Sequence, residues 1–139
     1  MLNQISLEQI NAMCKDTLME HLSIVFTEIN EKSLKAEMPV NKHTHQPMKL
    51  LHGGASAALI ESIGSMGSAL IVDLTKEAPV GIEVNANHVR GISSGIVEAT
   101  AEIVYQGKKT HVWSVKIVDK STQKLLCIGR LTMMIVPHK

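Results

Sequence analysis

The sequence predicts an α+β fold in which one long antiparallel sheet wraps a single long helix. Three observations carry this. Between Gly53 and about Leu74 nearly every residue is small or apolar, and a helix apolar on most sides must be buried on most sides. One pair of strand-like runs precedes that helix, and after Pro79 strand-like runs continue to the end of the chain. No linker, internal repeat or low-complexity stretch divides the 139 residues, so residues 1–139 read as a single domain.

Taken in order, Ser6-Leu7-Glu8-Gln9 opens a short helix with a capping box, Ser at the cap and Gln three residues on. Leu7, Ile10, Met13 and Cys14 then recur at helical spacing. From Leu22 to Val40 the period shortens: Ile24, Phe26, Leu34, Ala36 and Met38 alternate with other residues around a turn at Glu31-Lys32-Ser33, which predicts a β-hairpin. Asn41–Leu51 is polar, contains Pro47 and reads as a loop. The central helix follows; at ~1.5 Å per residue its ~21 residues make a rod of ~31 Å. Gly64 and Gly67 each cost that helix ~1 kcal/mol relative to Ala, which predicts a second helix or a sheet packed closely there. Val80, Ile82, Val84 and Ala86 then alternate with Gly81, Glu83, Asn85 and Asn87. Ile96–Val104, His111–Val118 and Leu125–Val136 complete the strands, separated by Ser93-Ser94-Gly95, Gln106-Gly107-Lys108 and Asp119-Lys120-Ser121. The expected order is α-β-β-α-β-β-β-β.

Composition removes several function classes. Apolar residues make up 45% of the chain, enough for one sizeable core, and a net charge of +1 leaves no basic stripe for nucleic acid. Aromatic residues are 2%, too few for a base-stacking platform. Cys14 and Cys127 are far apart with no ligand-like spacing, as in a reduced intracellular protein. Residues 1–9 lack a basic region followed by an apolar one, and no run of ~18 apolar residues is present. A cytoplasmic location, with no membrane partner, is the default expectation.

Two features carry chemistry. In Leu51-His52-Gly53-Gly54-Ala55 a Gly pair opens the central helix, where unpaired N–H groups and the positive end of the macrodipole meet any ligand. Such a site polarises a carbonyl oxygen and stabilises an oxyanion, although Gly-Gly also serves simply to turn a loop into a helix. The second feature is Glu61, the one charge in that helix before Asp73. A buried carboxylate is costly unless paired or put to use, and Ser65 at i+4 is placed to bond it or a water. The bland reading is a solvated stripe, but the neighbours Ala57, Ala58, Gly64 and Ser65 are small and uncharged. Glu61 lies eight residues beyond Gly53, ~12 Å along the axis, so one helix does not easily bring both to one carbonyl. Two antiparallel copies related by a two-fold do, which predicts a homodimer with sites at the interface.

Other residues carry weaker signals. His43 and His45 form a His-x-His pair with no Cys or carboxylate constellation, so no metal is expected. Ser56 lacks the Gly-x-Ser-x-Gly frame of a nucleophile elbow. Lys108 and Lys109 follow Gly107 in a hairpin turn, where such pairs are solvated charges or phosphate ligands.

The stretch His45-Gln46-Pro47, Leu50-Leu51-His52-Gly53-Gly54-Ala55-Ser56 and Glu61-Ser62-Ile63-Gly64-Ser65 resembles the hotdog-fold 4-hydroxybenzoyl-CoA thioesterase superfamily. Within it, the chain is similar to the branch with a Glu on the central helix, which includes the 1,4-dihydroxy-2-naphthoyl-CoA and enterobactin proofreading thioesterases. Val84-Asn85-Ala86-Asn87-His88-Val89-Arg90 is closer to the naphthoyl group. The resemblance runs from Leu7 to Val136. It implies a hotdog fold and hydrolysis of acyl-CoA, with aromatic acyl groups as the expected substrates, without a cofactor. It implies Glu61 as nucleophile or general base, and the Gly53 N–H as oxyanion donor assisted by Gln46 and His52. Ser65 would position water or the carboxylate. Gly81, His88, Val89, Arg90, Gly91, Tyr105, Lys108 and Lys109 would contact CoA, the cations suiting its phosphates. Tyr105 and Lys109 depart from the residues usual in the enterobacterial relatives. A homodimer or dimer of dimers is implied. The same fold also hosts acyl-thioester hydratases and dehydratases, and a non-catalytic acyl-CoA-binding module would need no Glu61.

Overall fold

The computed structural model describes residues 5–139. Its elements run α1 (Leu7–Met13), α2 (Leu18–His21), β1 (Val25–Ile29), β2 (Ser33–Pro39), α3 (Gly53–Ile71), β3 (Glu77–His88), β4 (Ile96–Gln106), β5 (Thr110–Asp119) and β6 (Leu125–Pro137). All six strands form one antiparallel sheet in the order β1-β2-β4-β5-β6-β3, which curls around α3. This is the expected hotdog architecture with one addition, the four-residue helix α2, capped by the Thr17 side chain on the Met19 N–H. The Ser6–Gln9 capping box forms as the sequence predicts.

Alternation decides which face of each strand meets the helix. Phe26, Leu34, Ala36, Met38, Val97, Ala99, Ala101, Trp113, Val115, Ile117, Leu131 and Met133 point inward and are buried with Leu59, Ile60 and Ile63 of α3. Gly64 and Gly67 do meet the sheet. A Cβ at Gly64 would run into Leu131, and one at Gly67 into the Trp113 indole. Under the helix, Ser68 Oγ accepts from Trp113 Nε1 at 2.9 Å and lies 3.0 Å from His111 Nδ1. Indole N–H only donates, so Ser68 Oγ is the acceptor toward Trp113 and ties both rings to the helix.

β3 departs from simple alternation. It pairs Gly81 with Met133 and Glu83 with Thr132, leaving Ile82 as an extra residue in a bulge. Val80, opposite the exposed Met134, therefore faces outward, while Val84 and Ala86, opposite Leu131 and Gly129, face inward. The shift of phase turns Gly81 toward α3. Pro79 lies inside β3 rather than before it; β3 is an edge strand, where a missing N–H is tolerated.

α3 is long and apolar enough to cross a bilayer by length and composition, yet half of that window is buried inside this fold and the helix carries Glu61. Ten of its nineteen residues are buried and only Gly54 and Glu61 are exposed, as a helix apolar on most sides requires. The stripe Ala57, Ala58, Glu61, Ser62, Ser65 and Ala69 is left half-buried or exposed.

Candidate active site

The loop before α3 is pinned at several points, which fixes where the helix begins. Thr44 is buried and its hydroxyl donates to the Pro39 carbonyl; its own carbonyl accepts from the His52 N–H. The Leu51 N–H donates to Ile92, and the Gln46 N–H to Leu50. His45 places Nε2 2.9 Å from the Ser93 carbonyl. Among the described residues, no cluster of three His, Cys, Asp or Glu is placed to hold a metal ion.

His52 caps α3. Its Nδ1 accepts from the Gly54 N–H at 2.7 Å, so its remaining proton is on Nε2. The Gly53 N–H, the first of the helix, takes no hydrogen-bond partner among the described residues. It opens on a cleft of about 400 Å³ lined by Gln46, Gly53, Ser56, His88, Val89, Arg90 and Gly91, among others. The His88 ring lies over Gly53 so closely that a Cβ there would collide with it. The site thus has a free helix-terminal donor, a glycine that leaves room for the His88 ring, and one guanidinium.

Glu61 is in a different cleft. That groove, of about 590 Å³, runs along the uncovered stripe of α3 and is lined by Ala58, Glu61, Ser62, Ser65 and Met66, with the α1–α2 segment opposite. Gly81 lies against the Glu61 carboxylate, and any larger residue there would strike Oε1. Ser65 does not bond Glu61; its hydroxyl points to Met133 Sδ at 3.6 Å. Glu61 is exposed in the single chain, not buried as its apolar setting had predicted.

Lys108 lies elsewhere again. The β4–β5 turn is at the far end of α3, where Lys108, Gly107 and Gln106 border a third cleft with Ile71, Asp73, Glu77 and His111. Tyr105, shifted outward by a second bulge between Ile103 and Tyr105, folds over Gly107. One chain therefore gathers Gln46, Gly53, His88, Val89, Arg90 and Gly91, but keeps Glu61, Ser65 and Gly81 apart from them and the Tyr105–Lys109 turn apart from both.

The reading of the sequence missed the buried Ser68–His111–Trp113 network, which has no local spacing to reveal it. Burial holds the His111 imidazole below its ordinary range, opposed by the Glu77 carboxylate and a hydrogen bond to the Gly107 backbone. Burial raises both the Cys14 and Cys127 thiols, which are free and lie in the core.

Residues 48–126 match the model of a family described as the thioesterase superfamily. The chain is 40% identical over 131 residues to the proofreading thioesterase EntH of Cronobacter sakazakii, covering 94% of each chain. The crystal structure of a Gln-to-Ala variant of the thioesterase PA1618 from Pseudomonas aeruginosa superposes with a TM-score of 0.95 at 47% identity, covering 99% of both chains. The Staphylococcus aureus thioesterase SAV0944, also solved as a Gln-to-Ala variant, gives 0.83 at 41% identity over 86% of this chain and 98% of its own. A second SAV0944 structure carries a Glu-to-Ala change fifteen positions beyond that glutamine.

Proposed function

We propose, for a chain that belongs to the thioesterase superfamily and is a thioester hydrolase, that its substrates are acyl-CoA thioesters and that two copies of the chain build each site. The observation that carries the catalytic assignment is Glu61, the one charged side chain on the uncovered stripe of α3, seated against a glycine. Gln46 precedes Glu61 by fifteen residues, the same separation as the two positions altered in SAV0944.

In this reading the Gly53 N–H and the α3 dipole take the thioester oxygen as it becomes an oxyanion. Glu61 delivers the attack on the acyl carbon, through its own oxygen or through a water whose proton it accepts. The C–S bond then breaks, and the departing CoA sulfur leaves as thiolate or takes a proton. When Glu61 itself attacks, a second step hydrolyses the acyl–glutamyl anhydride and restores the carboxylate. Single turnover in ¹⁸O-water leaves label in Glu61 only when Glu61 attacks the thioester and water then opens the anhydride at the glutamyl carbon, so labelled Glu61 identifies the nucleophilic route.

Two supports favour a shared site. Gly53 and Glu61 open on separate clefts of one chain, ~12 Å apart along the helix axis. β3 is a twelve-residue edge strand bearing exposed Val80 and Ile82, the kind of edge that pairs with another strand. Two-fold pairing of β3 with a second β3 lays the two α3 helices antiparallel, with Glu61 of one facing the Gly53 end of the other. The partner's Lys108–Lys109 turn then lies at the same end as Arg90, giving cations from both chains for CoA phosphates.

Thiol release from benzoyl-, octanoyl- and acetyl-CoA, followed with a thiol reagent, tests the reading. We expect stoichiometric free acid and CoA, with aryl substrates among the good ones. Binding of these thioesters without thiol release would overturn it.

A further inference from the structure

The groove that contains Glu61 has a second wall that the catalytic reading leaves unused. Met13 ends α1 and Leu18 begins α2; they are 50% and 62% exposed, yet both line this groove opposite α3. Their elbow is firmly held. Asn11 makes two hydrogen bonds to the Phe26 backbone, at 2.8 and 2.9 Å, and Ile10 is fully buried. Thr17 Oγ1 donates to the Cys14 carbonyl at 2.6 Å between the two helices. Folding does not require large apolar side chains at two exposed positions of a fixed elbow, whereas a ligand lying beside Glu61 does.

We propose that the α1–α2 elbow is the outer wall of the acyl subsite, and that this subsite takes neutral, apolar acyl groups, alkyl or aryl, while rejecting acyl groups that carry a carboxylate. The inference rests on Glu61 acting at the acyl carbon. The acyl substituent must leave that carbon into the space around Glu61, and the groove is that space. Among its described lining residues Glu61 is the one charge and none is Lys, Arg or His. A terminal carboxylate would meet no cation of this chain there and would face Glu61 at close range. Met13, Met19 and Met66 give the walls adaptable shape, which suits a range of apolar groups over one fixed ring or chain. The elbow lies outside residues 48–126, the segment that matches the family model.

The test compares wild type with the Met13→Ser/Leu18→Ser double variant on octanoyl-, benzoyl-, succinyl- and acetyl-CoA. Both positions are exposed, so the variant folds. Wild type should turn over octanoyl- or benzoyl-CoA at least ~100-fold better than succinyl-CoA in kcat/KM. In the variant, the ratio of octanoyl or benzoyl to acetyl should fall about tenfold or more, chiefly through KM. The octanoyl and benzoyl arms show whether the wall grips chains, rings or both. Calorimetric titration of both proteins with octanoyl-CoA and with free CoA reads the same wall without turnover; the variant should weaken the first selectively. Unchanged ratios and unchanged octanoyl-CoA affinity, or succinyl-CoA hydrolysed as well as octanoyl-CoA, would overturn the subsite while leaving hydrolysis at Glu61 standing. Absence of thiol release from every substrate would instead overturn the catalytic reading, and the titration would still decide the wall.

Discussion

Gly81→Ala is a substitution whose effect can be worked out atom by atom. The bulge at Ile82 turns residue 81 inward, and an added Cβ would fall well under 3.0 Å from Glu61 Oε1. Carbon and oxygen at ordinary contact need more than 3 Å, so the carboxylate must withdraw by about 1 Å. Glu61 is the free end of a flexible side chain, so this withdrawal costs little folding free energy, and Ala suits a strand better than Gly. For catalysis the same movement is large: a ~1 Å misplacement of a reacting group costs up to ~10² in rate. We expect Gly81→Ala to lower kcat by about 10²-fold on octanoyl- or benzoyl-CoA, with KM and the denaturation midpoint nearly unchanged. Steady-state kinetics beside a urea titration read both. Wild-type kcat in a folded Gly81→Ala protein would refute the placement of Glu61 in the reaction.

Other outcomes follow from the same structure. Glu61→Gln and Glu61→Ala should each lose at least ~10² in kcat at unchanged stability, since Glu61 is exposed and makes no ion pair among the described residues; thiol release and thermal melting check this. Gly67→Ala drives a methyl into the Trp113 indole and should destabilise by about 1–3 kcal/mol in urea, a purely structural loss. Burial lowers the His111 pKa, so as pH falls through about 6.5 the unfolded chain takes up its proton before the folded one. The folded state therefore loses stability from about 6.5 down to the lower folded pKa, and His111→Gln should flatten that slope; a slope unchanged by the substitution would remove His111 from it.

The parts legible in the sequence are those written in periodicity. The helix apolar from Gly53 onward, the inward Leu34-Ala36-Met38 series and the last three strands all lie where their spacing places them. α2 has only four residues, fewer than two turns, and leaves no period to read. The phase of β3 was misread because one extra residue inverts the alternation, and nothing in Val80–Ala86 shows which residue is extra. That inversion matters to the site, since it brings Gly81 rather than Val80 to Glu61. Gly53 and Glu61 stand out by residue type against an uncharged apolar helix, and the axial rise kept them apart on one chain. The burial of Glu61 was not legible because the surface left open along α3 depends on how far the sheet wraps. The α1–α2 wall and the Ser68–His111–Trp113 network join residues distant in sequence, which no local pattern reports.

Subunit complementation tests the central claim, that Glu61 of one chain serves the Gly53 end of another. A Glu61→Ala chain is mixed with a Gln46→Ala/His52→Ala chain and the subunits are exchanged. Each parent homodimer lacks one half of every site and should be nearly inactive. Each mixed dimer holds one doubly damaged site and one intact site, so random exchange of equal amounts leaves about a quarter of all sites whole. The account predicts recovery to about a quarter of wild-type thiol release. Confirmed heterodimers with no recovered activity would contradict it and place Glu61 and Gly53 of the same chain in one site.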